Sequence, residues 1–215
     1  MDKIIAVFGG TGGLGVKLLP LLKKKYKVIS LGSKLVDVTK LNQVKEFFAD
    51  NDIDIVLNMS AKSYDVYLSR INEDNHQSVT DMLNVNIMGN INILAGCLPK
   101  MIEKKWGRVI AISSVTSKLN VPTASLYCAS KAFLDRLISN ANKENVRYGI
   151  TCNTIRLGYW DGGMCERISP EFREVIRKSI SLRRWGKIEE LYNTVNYIVD
   201  NEYVCGTNLK IDGGI

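Results

Sequence analysis

Tyr127 and Lys131 stand four residues apart in Tyr127-Cys128-Ala129-Ser130-Lys131, a spacing that puts both side chains on one helix face. A free phenol has a pKa of about 10 and is a poor base at neutral pH. A nearby cation favours the phenolate, so Lys131 is expected to lower the pKa of Tyr127 and bring it into range as acid or base. Such pairs are also common on helices as plain surface contacts, so this one needs company. Ser113-Ser114 closes an apolar run, and Ser114 lies 13 residues before Tyr127. A hydroxyl there can bond a substrate oxygen and stabilise charge developing on it.

A second set lies near the N-terminus, where Phe8-Gly9-Gly10-Thr11-Gly12-Gly13-Leu14-Gly15 follows an apolar run and opens a helical stretch. Glycines permit a tight strand-to-helix turn and close approach to a pyrophosphate, and the helix N-terminus offers free N–H groups and a positive dipole end. A triphosphate-binding loop would need Gly-Lys-Ser/Thr, whereas Gly15 is followed by Val16-Lys17-Leu18. The spacing G-x-x-x-G-x-G, read as Gly9, Gly13 and Gly15, fits better than G-x-G-x-x-G.

The elements that must position these residues alternate between apolar runs and helical stretches, as βαβ units do. Strands are expected at Ile4–Phe8, Lys27–Leu31, Ile53–Leu57, Arg108–Ser113, Ile150–Arg156 and Asn208–Ile211, with a very short one at Leu35–Val38. Helices are expected from Gly13 to about Lys25, Leu41 to Ala49, Val79 to Lys104, Ala124 to Tyr148 (closed by Gly149), Pro170 to Ile180 and Lys187 to Asp200. The predicted fold is α/β: a single-domain, Rossmann-like, doubly wound parallel sheet over residues 1–215, with helices on both faces and little chain between strands two and three. Ligands in such sheets bind beyond the carboxyl ends of the strands, where each of these motifs falls.

The glycine spacing, Ser114, Tyr127 and Lys131 together resemble the short-chain dehydrogenase/reductase family of the classical type, and the likeness runs over nearly the whole chain. Asn86, in Asn84-Val85-Asn86-Ile87, stands where that family keeps an asparagine. Asn58-Met59-Ser60-Ala61 takes the place of its Asn-Asn-Ala-Gly turn, and Asn153-Thr154-Ile155-Arg156-Leu157-Gly158 that of its N-x-I-x-P-G. The closing Gly206 to Gly214 resembles 3-oxoacyl-carrier-protein reductases. The resemblance implies hydride transfer between a nicotinamide and a carbonyl or alcohol. Tyr127 would give or take the proton, Lys131 would hold the nicotinamide ribose, Ser114 would orient the substrate oxygen and Asn86 would support a proton relay. Departures are Phe8 for a threonine, Met59 within its turn, Leu157 for proline and Gly162 for a carboxamide-binding threonine.

Cofactor contacts are expected from Gly9, Thr11, Gly13, Leu14, Gly15, Ser33, Lys34, Asp37, Val38, Asn58, Tyr127, Lys131 and Gly158. An acid ending the second strand would bind the adenosine ribose and repel a 2′-phosphate. Ser30-Leu31-Gly32-Ser33-Lys34 has none, and Lys34 offers a cation, so NADP(H) is favoured over NAD(H). By the resemblance, Asp37-Val38 contacts the adenine. The substrate site is expected among Val115–Leu126, Lys62–Tyr67 and Tyr159–Arg173, with Tyr159 and Trp160 placed to stack on a ring or simply to pack.

Composition narrows the classes. Five cysteines without a C-x-x-C pair argue against disulfides or a metal site, and buried free thiols are expected. The net charge of +7 comes from scattered lysines and arginines, which argues against nucleic acid. No apolar run approaches the ~18 residues of a membrane span, and the N-terminus reads as a strand rather than a signal peptide, so a cytoplasmic location is expected. His76 is placed in a polar loop, without a nucleophile elbow. The family implies a homodimer or homotetramer. The alternative to an enzyme is a dinucleotide-binding sensor or scaffold with little turnover.

Overall fold

The structure, a computed structural model, describes residues 3–215, apart from the Arg167 side chain. Met1 and Asp2, which the single-domain reading includes, lie outside the described residues. Six parallel strands are ordered β2-β1-β3-β4-β5-β6. They are β1 (Ile4–Phe8), β2 (Lys27–Leu31), β3 (Ile55–Asn58), β4 (Gly107–Ser114), β5 (Ile150–Leu157) and β6 (Asn208–Ile211). The connecting helices are α1 (Gly13–Leu22), α2 (Leu41–Asp50), α3 (Glu73–Leu83), α4 (Gly89–Lys104), α5 (Ser125–Asn145), α6 (Pro170–Ser179) and α7 (Ile188–Asp200). This is the doubly wound α/β arrangement that the alternation predicts.

Alternate strand residues feed two cores, because successive side chains leave a strand on opposite faces. Ala6, Phe8 and Val56 meet α2, α4 and α5 through Val44, Phe48, Ile93 and Leu134. Ile5, Val7, Ile55 and Leu57 meet α1 and α7 through Leu18, Leu22, Leu191 and Val195. Both faces are covered, as a parallel sheet requires.

Five expectations are corrected. Leu35–Val38 is not a strand: the chain turns there, with Leu35 and Val36 N–H groups donating to Gly32 O at 2.9 and 3.1 Å. Val36 and Val38 are buried in the core rather than paired, and Asn92 holds Val38 O at 2.9 Å. That leaves β2 at the sheet edge. The helix expected from Val79 starts instead at Glu73, where Asn72 and Asn75 cap each other side chain to backbone at 3.0 and 3.2 Å. His76 therefore lies in α3, which continues through a wide turn at Asn84–Met88 into α4. The first helix stops at Leu22, short of Lys25. The last correction concerns the thiols, all five of which are free: Cys97 and Cys152 are buried as expected, Cys128 and Cys165 only partly, and Cys205 is exposed. Among the described residues no helix is long and apolar enough to cross a membrane.

Candidate active site

The carboxyl ends of β1, β3, β4 and β5 open onto one cavity of about 960 Å³. Its wall brings together Gly9, Gly13, Leu14, Gly15, Ser114, Tyr127, Lys131 and Gly158 from the sequence prediction. Thr11, Ser33, Lys34, Asp37, Val38, Asn58 and Asn86 lie outside that wall.

The glycine turn is close-packed backbone. Gly9 has φ +75°, and its N–H donates to Leu31 O at 2.9 Å. A Cβ on Gly9 would lie 2.7 Å from Ser60 N. One on Gly15 would lie 2.6 and 2.7 Å from the carbonyl oxygens of Gly9 and Gly10. No side chain caps α1 and no acid sits in its first turn, so its leading N–H groups and dipole are left for an anion. This cradle, which a side chain would fill, fits the pyrophosphate of a dinucleotide.

The adenosine side is an open shelf. Thr11 packs against Gly32, where a Cβ would lie 2.5 Å from Thr11 Oγ1. Ser33 and Lys34 follow in an exposed turn with no carboxylate among them. Asp37-Val38, expected at the adenine, follows this turn. The Asp37 carboxylate accepts from Thr39 N and Oγ1 at 2.9 and 2.8 Å, and Val38 is buried against Gly89. Asn58 shapes the wall from behind: Nδ2 donates to Asn90 Oδ1 at 2.6 Å, and Oδ1 accepts from Ser60 N at 3.0 Å. Gly158 passes Asp212 so closely that a Cβ would meet Asp212 Cα at 2.7 Å.

Ser114 ends β4 and Tyr127 lies in the first turn of α5. The Ser114 hydroxyl accepts from Thr116 Oγ1 at 2.9 Å and N at 3.2 Å. Lys131 is buried and donates Nζ to Ile112 O at 2.9 Å. Lys131 is not among the groups that shift the Tyr127 phenol here. Burial pushes the phenol up to about 12, the Cys165 thiol adds to the rise, and the nearby Ser114 hydroxyl opposes it. Burial also lowers the Lys131 ammonium to about 8, with the Asp135 carboxylate opposing. Removal from water penalises the charged form of each group and outweighs the neighbouring charges.

Asn86 does not touch Lys131 directly. Its Oδ1 accepts from Lys62 N at 2.9 Å, and its Nδ2 donates to Lys62 O at 2.9 Å and Ser130 Oγ at 3.1 Å. Ser130 Oγ in turn donates to Tyr127 O at 2.7 Å. Asn86 thus ties the loop after β3 to the helix that carries the tyrosine. Trp160 is buried beside Gly186, whereas Tyr159 is half-buried in the cavity wall and meets Trp185 edge-on at 5.8 Å.

The remaining wall comes largely from the three predicted segments, including Lys62–Asp65, Thr116, Ala124 and Met164–Glu166. Ser78, Asp81 and Met82 of α3 also line the wall, outside the three predicted segments; of these only Ser78 falls in the stretch that reads as a loop without its asparagine cap. Among the described residues no cluster of His, Cys, Asp and Glu could hold a metal ion.

A family model described as "Enoyl-(Acyl carrier protein) reductase" matches residues 22–215, which excludes the glycine turn. Curated relatives cover that turn as well. "Carbonyl reductase family member 4" of Xenopus laevis is 27% identical over 238 residues, covering 100% of this chain and 98% of its own. "3-oxoacyl-[acyl-carrier-protein] reductase FabG" of Rickettsia typhi is 27% identical, with coverages of 99% and 96%. "Acetoacetyl-CoA reductase" of Synechocystis is 28% identical, with coverages of 99% and 95%. The solved structure "ElxO with NADP Bound" superposes with a TM-score of 0.88 at 21% identity, over 99% of this chain and 98% of that one.

Proposed function

The chain belongs to the short-chain dehydrogenase/reductase family and is an NAD(P)(H)-dependent oxidoreductase, and on that premise we propose an NADPH-dependent carbonyl reductase with Tyr127 as its acid. One observation carries this reading: Ser114, Tyr127 and Lys131 share one cavity with the glycine cradle. A carbonyl oxygen held by the Ser114 and Tyr127 hydroxyls takes its proton from Tyr127 as negative charge develops on it. The bound nicotinamide supplies the hydride. Lys131 stabilises the phenolate left behind, and at neutral pH its ammonium is mostly charged. Asn86 positions α5 through Ser130.

Gly9, Gly13, Leu14 and Gly15 form the cradle for the pyrophosphate, and Gly158 lines the same cavity. Thr11, Ser33 and Lys34 border the adenosine shelf, and Lys34 with no neighbouring acid supports NADPH over NADH. The NADP in the ElxO structure is consistent with that choice. Asp37 and Val38 contact the adenine, and Asn58 shapes the turn behind the cradle. Residues 1–215 work as one unit on a small carbonyl or alcohol, in the cytoplasm, as a homodimer or homotetramer. The relatives' names make 3-oxoacyl thioesters the first substrates to try.

The test is NADPH oxidation with acetoacetyl thioesters and simple ketones, comparing the wild type with Tyr127→Phe. Turnover that depends on Tyr127 supports the enzyme. NADPH binding without turnover in either protein favours a sensor.

A further inference from the structure

We propose that Lys17 is a positioning residue for the cofactor site, clasping the segment that follows β5 down onto the start of α1; this rests on the dinucleotide-binding reading above. The segment Asp161–Arg167 leaves the end of β5, makes one turn at Gly163–Arg167 and forms part of the cavity wall. It meets the glycine turn backbone to backbone. A Cβ on Gly13 would lie 2.6 Å from Gly163 Cα and 2.7 Å from Gly163 N. Gly162 and Gly163 take φ values of +141° and +63°, a region that favours glycine.

Lys17 lies four residues after Gly13, on the same face of α1. Its Nζ crosses to the segment and donates to Asp161 O at 2.8 Å, with Glu166 Oε1 3.9 Å away. The Glu166 contact is exposed on both sides and contributes little. The charge-assisted bond to a main-chain carbonyl is the stronger tie. A Cβ on Gly162 would lie 3.0 Å from Lys17 Nζ, so a side chain at 162 and this ammonium compete for the same space.

The far side of the segment is held from α6. Arg173 donates to Asp161 Oδ1 at 3.0 Å and Cys165 O at 2.9 Å, with its guanidinium 4.4 Å from the Trp185 ring centre. The segment is thus clamped between a cation on each flank, against the helix turn whose free N–H groups form the anion cradle. Keeping it closed slows the departure of whatever the cradle holds. Lys17 touches no reacting atom in this arrangement; it acts through the segment.

The experiment compares wild type, Lys17→Met and Lys17→Arg. It reads amide hydrogen exchange over residues 161–167 without ligand, NADPH affinity and dissociation rate by fluorescence, and kcat and KM separately. Loss of one charge-assisted bond should weaken NADPH binding about tenfold in Lys17→Met, through faster dissociation. Exchange over the segment should rise, KM for NADPH should climb with the affinity loss, and kcat at saturating cofactor should fall far less. Lys17→Arg should restore affinity and protection. A folded Lys17→Met protein with wild-type NADPH affinity and dissociation rate overturns the proposal alone. Wild-type protein that binds neither dinucleotide overturns the cofactor reading beneath it, and the proposal with it.

Discussion

Lys131 aims its ammonium at the carbonyl of Ile112, 2.9 Å away, and stands 5.6 Å from the centre of the Tyr127 ring. The strand end therefore fixes the cation beside the phenol rather than in contact with it. Burial moves the two pKa values in opposite directions, to about 8 for Lys131 and about 12 for Tyr127. An acid that keeps its proton until substrate arrives suits reduction. The buried cation beside it is costly to desolvate and becomes useful when phenolate forms.

That cost is measurable as a pH dependence of stability. The folded Lys131 pKa of about 8 lies below its ordinary 10.5. Between those values the unfolded chain binds more protons than the folded one, so stability rises with pH there. The wild type should gain roughly 2 kcal/mol relative to Lys131→Met between about pH 8 and pH 10. Urea titrations at both pH values check this. Tyr127, shifted upward, acts in the opposite direction only above its ordinary value of 10. A Lys131→Met protein with the same pH slope as wild type would show that the ammonium is not desolvated.

The two hydroxyls should separate chemistry from binding. Tyr127→Phe removes the proton donor and should lower kcat by about 10²–10⁴-fold. Ser114→Ala removes one donor to the substrate oxygen and should cost about 10²-fold or more. Ser114 is not among the expected cofactor contacts, so NADPH affinity of Ser114→Ala should stay within about twofold, well under the tenfold that 1.4 kcal/mol represents. Steady-state kinetics with a fluorescence titration of each variant reads both. A Tyr127→Phe enzyme with wild-type kcat would remove the tyrosine from the mechanism.

Much of this site was legible because its parts are local. Tyr127 and Lys131 are fixed by helix spacing, and Gly9 to Gly15 by a strand-to-helix turn whose packing excludes Cβ atoms. What sequence missed depended on long-range neighbours. Leu35–Val38 alternates like a strand, yet Val38 finds Gly89 on α4 and is buried there instead. The pKa of Tyr127 depends on how deeply α5 is buried, which the i,i+4 spacing does not encode. Lys17 reads as a surface lysine until Asp161, 144 residues away in sequence, is brought to it.

Gly15 offers a steric test of the cradle. A methyl group there would lie within 2.6–2.8 Å of three backbone atoms of Gly9 and Gly10, none of which can rotate away. Gly15→Ala should therefore displace the turn, lowering stability by about 1–3 kcal/mol as overpacking does. NADPH affinity should drop by more than tenfold, because the N–H groups of the first turn move with the backbone. Thermal unfolding with and without NADPH reads both effects. A variant of wild-type stability and affinity would mean that the turn is looser than its contacts indicate.

Lys34 tests the choice of nicotinamide. It lies in the exposed turn after β2, beside Ser33 and Leu35 and with no carboxylate next to it. An exposed lysine makes a flexible, screened contact, so its effect on a 2′-phosphate should be modest and salt-sensitive. Lys34→Ala should weaken NADPH binding by about five- to tenfold and NADH binding by less than twofold, because only the former carries the extra charge. Raising ionic strength should shrink the NADPH difference while leaving NADH nearly unchanged. Since no acid replaces the lysine, the variant should become indifferent between the two cofactors rather than selective for NADH. Equal losses for both, or none for either, would place the adenosine phosphate away from this turn and move the search for its cation elsewhere on the shelf.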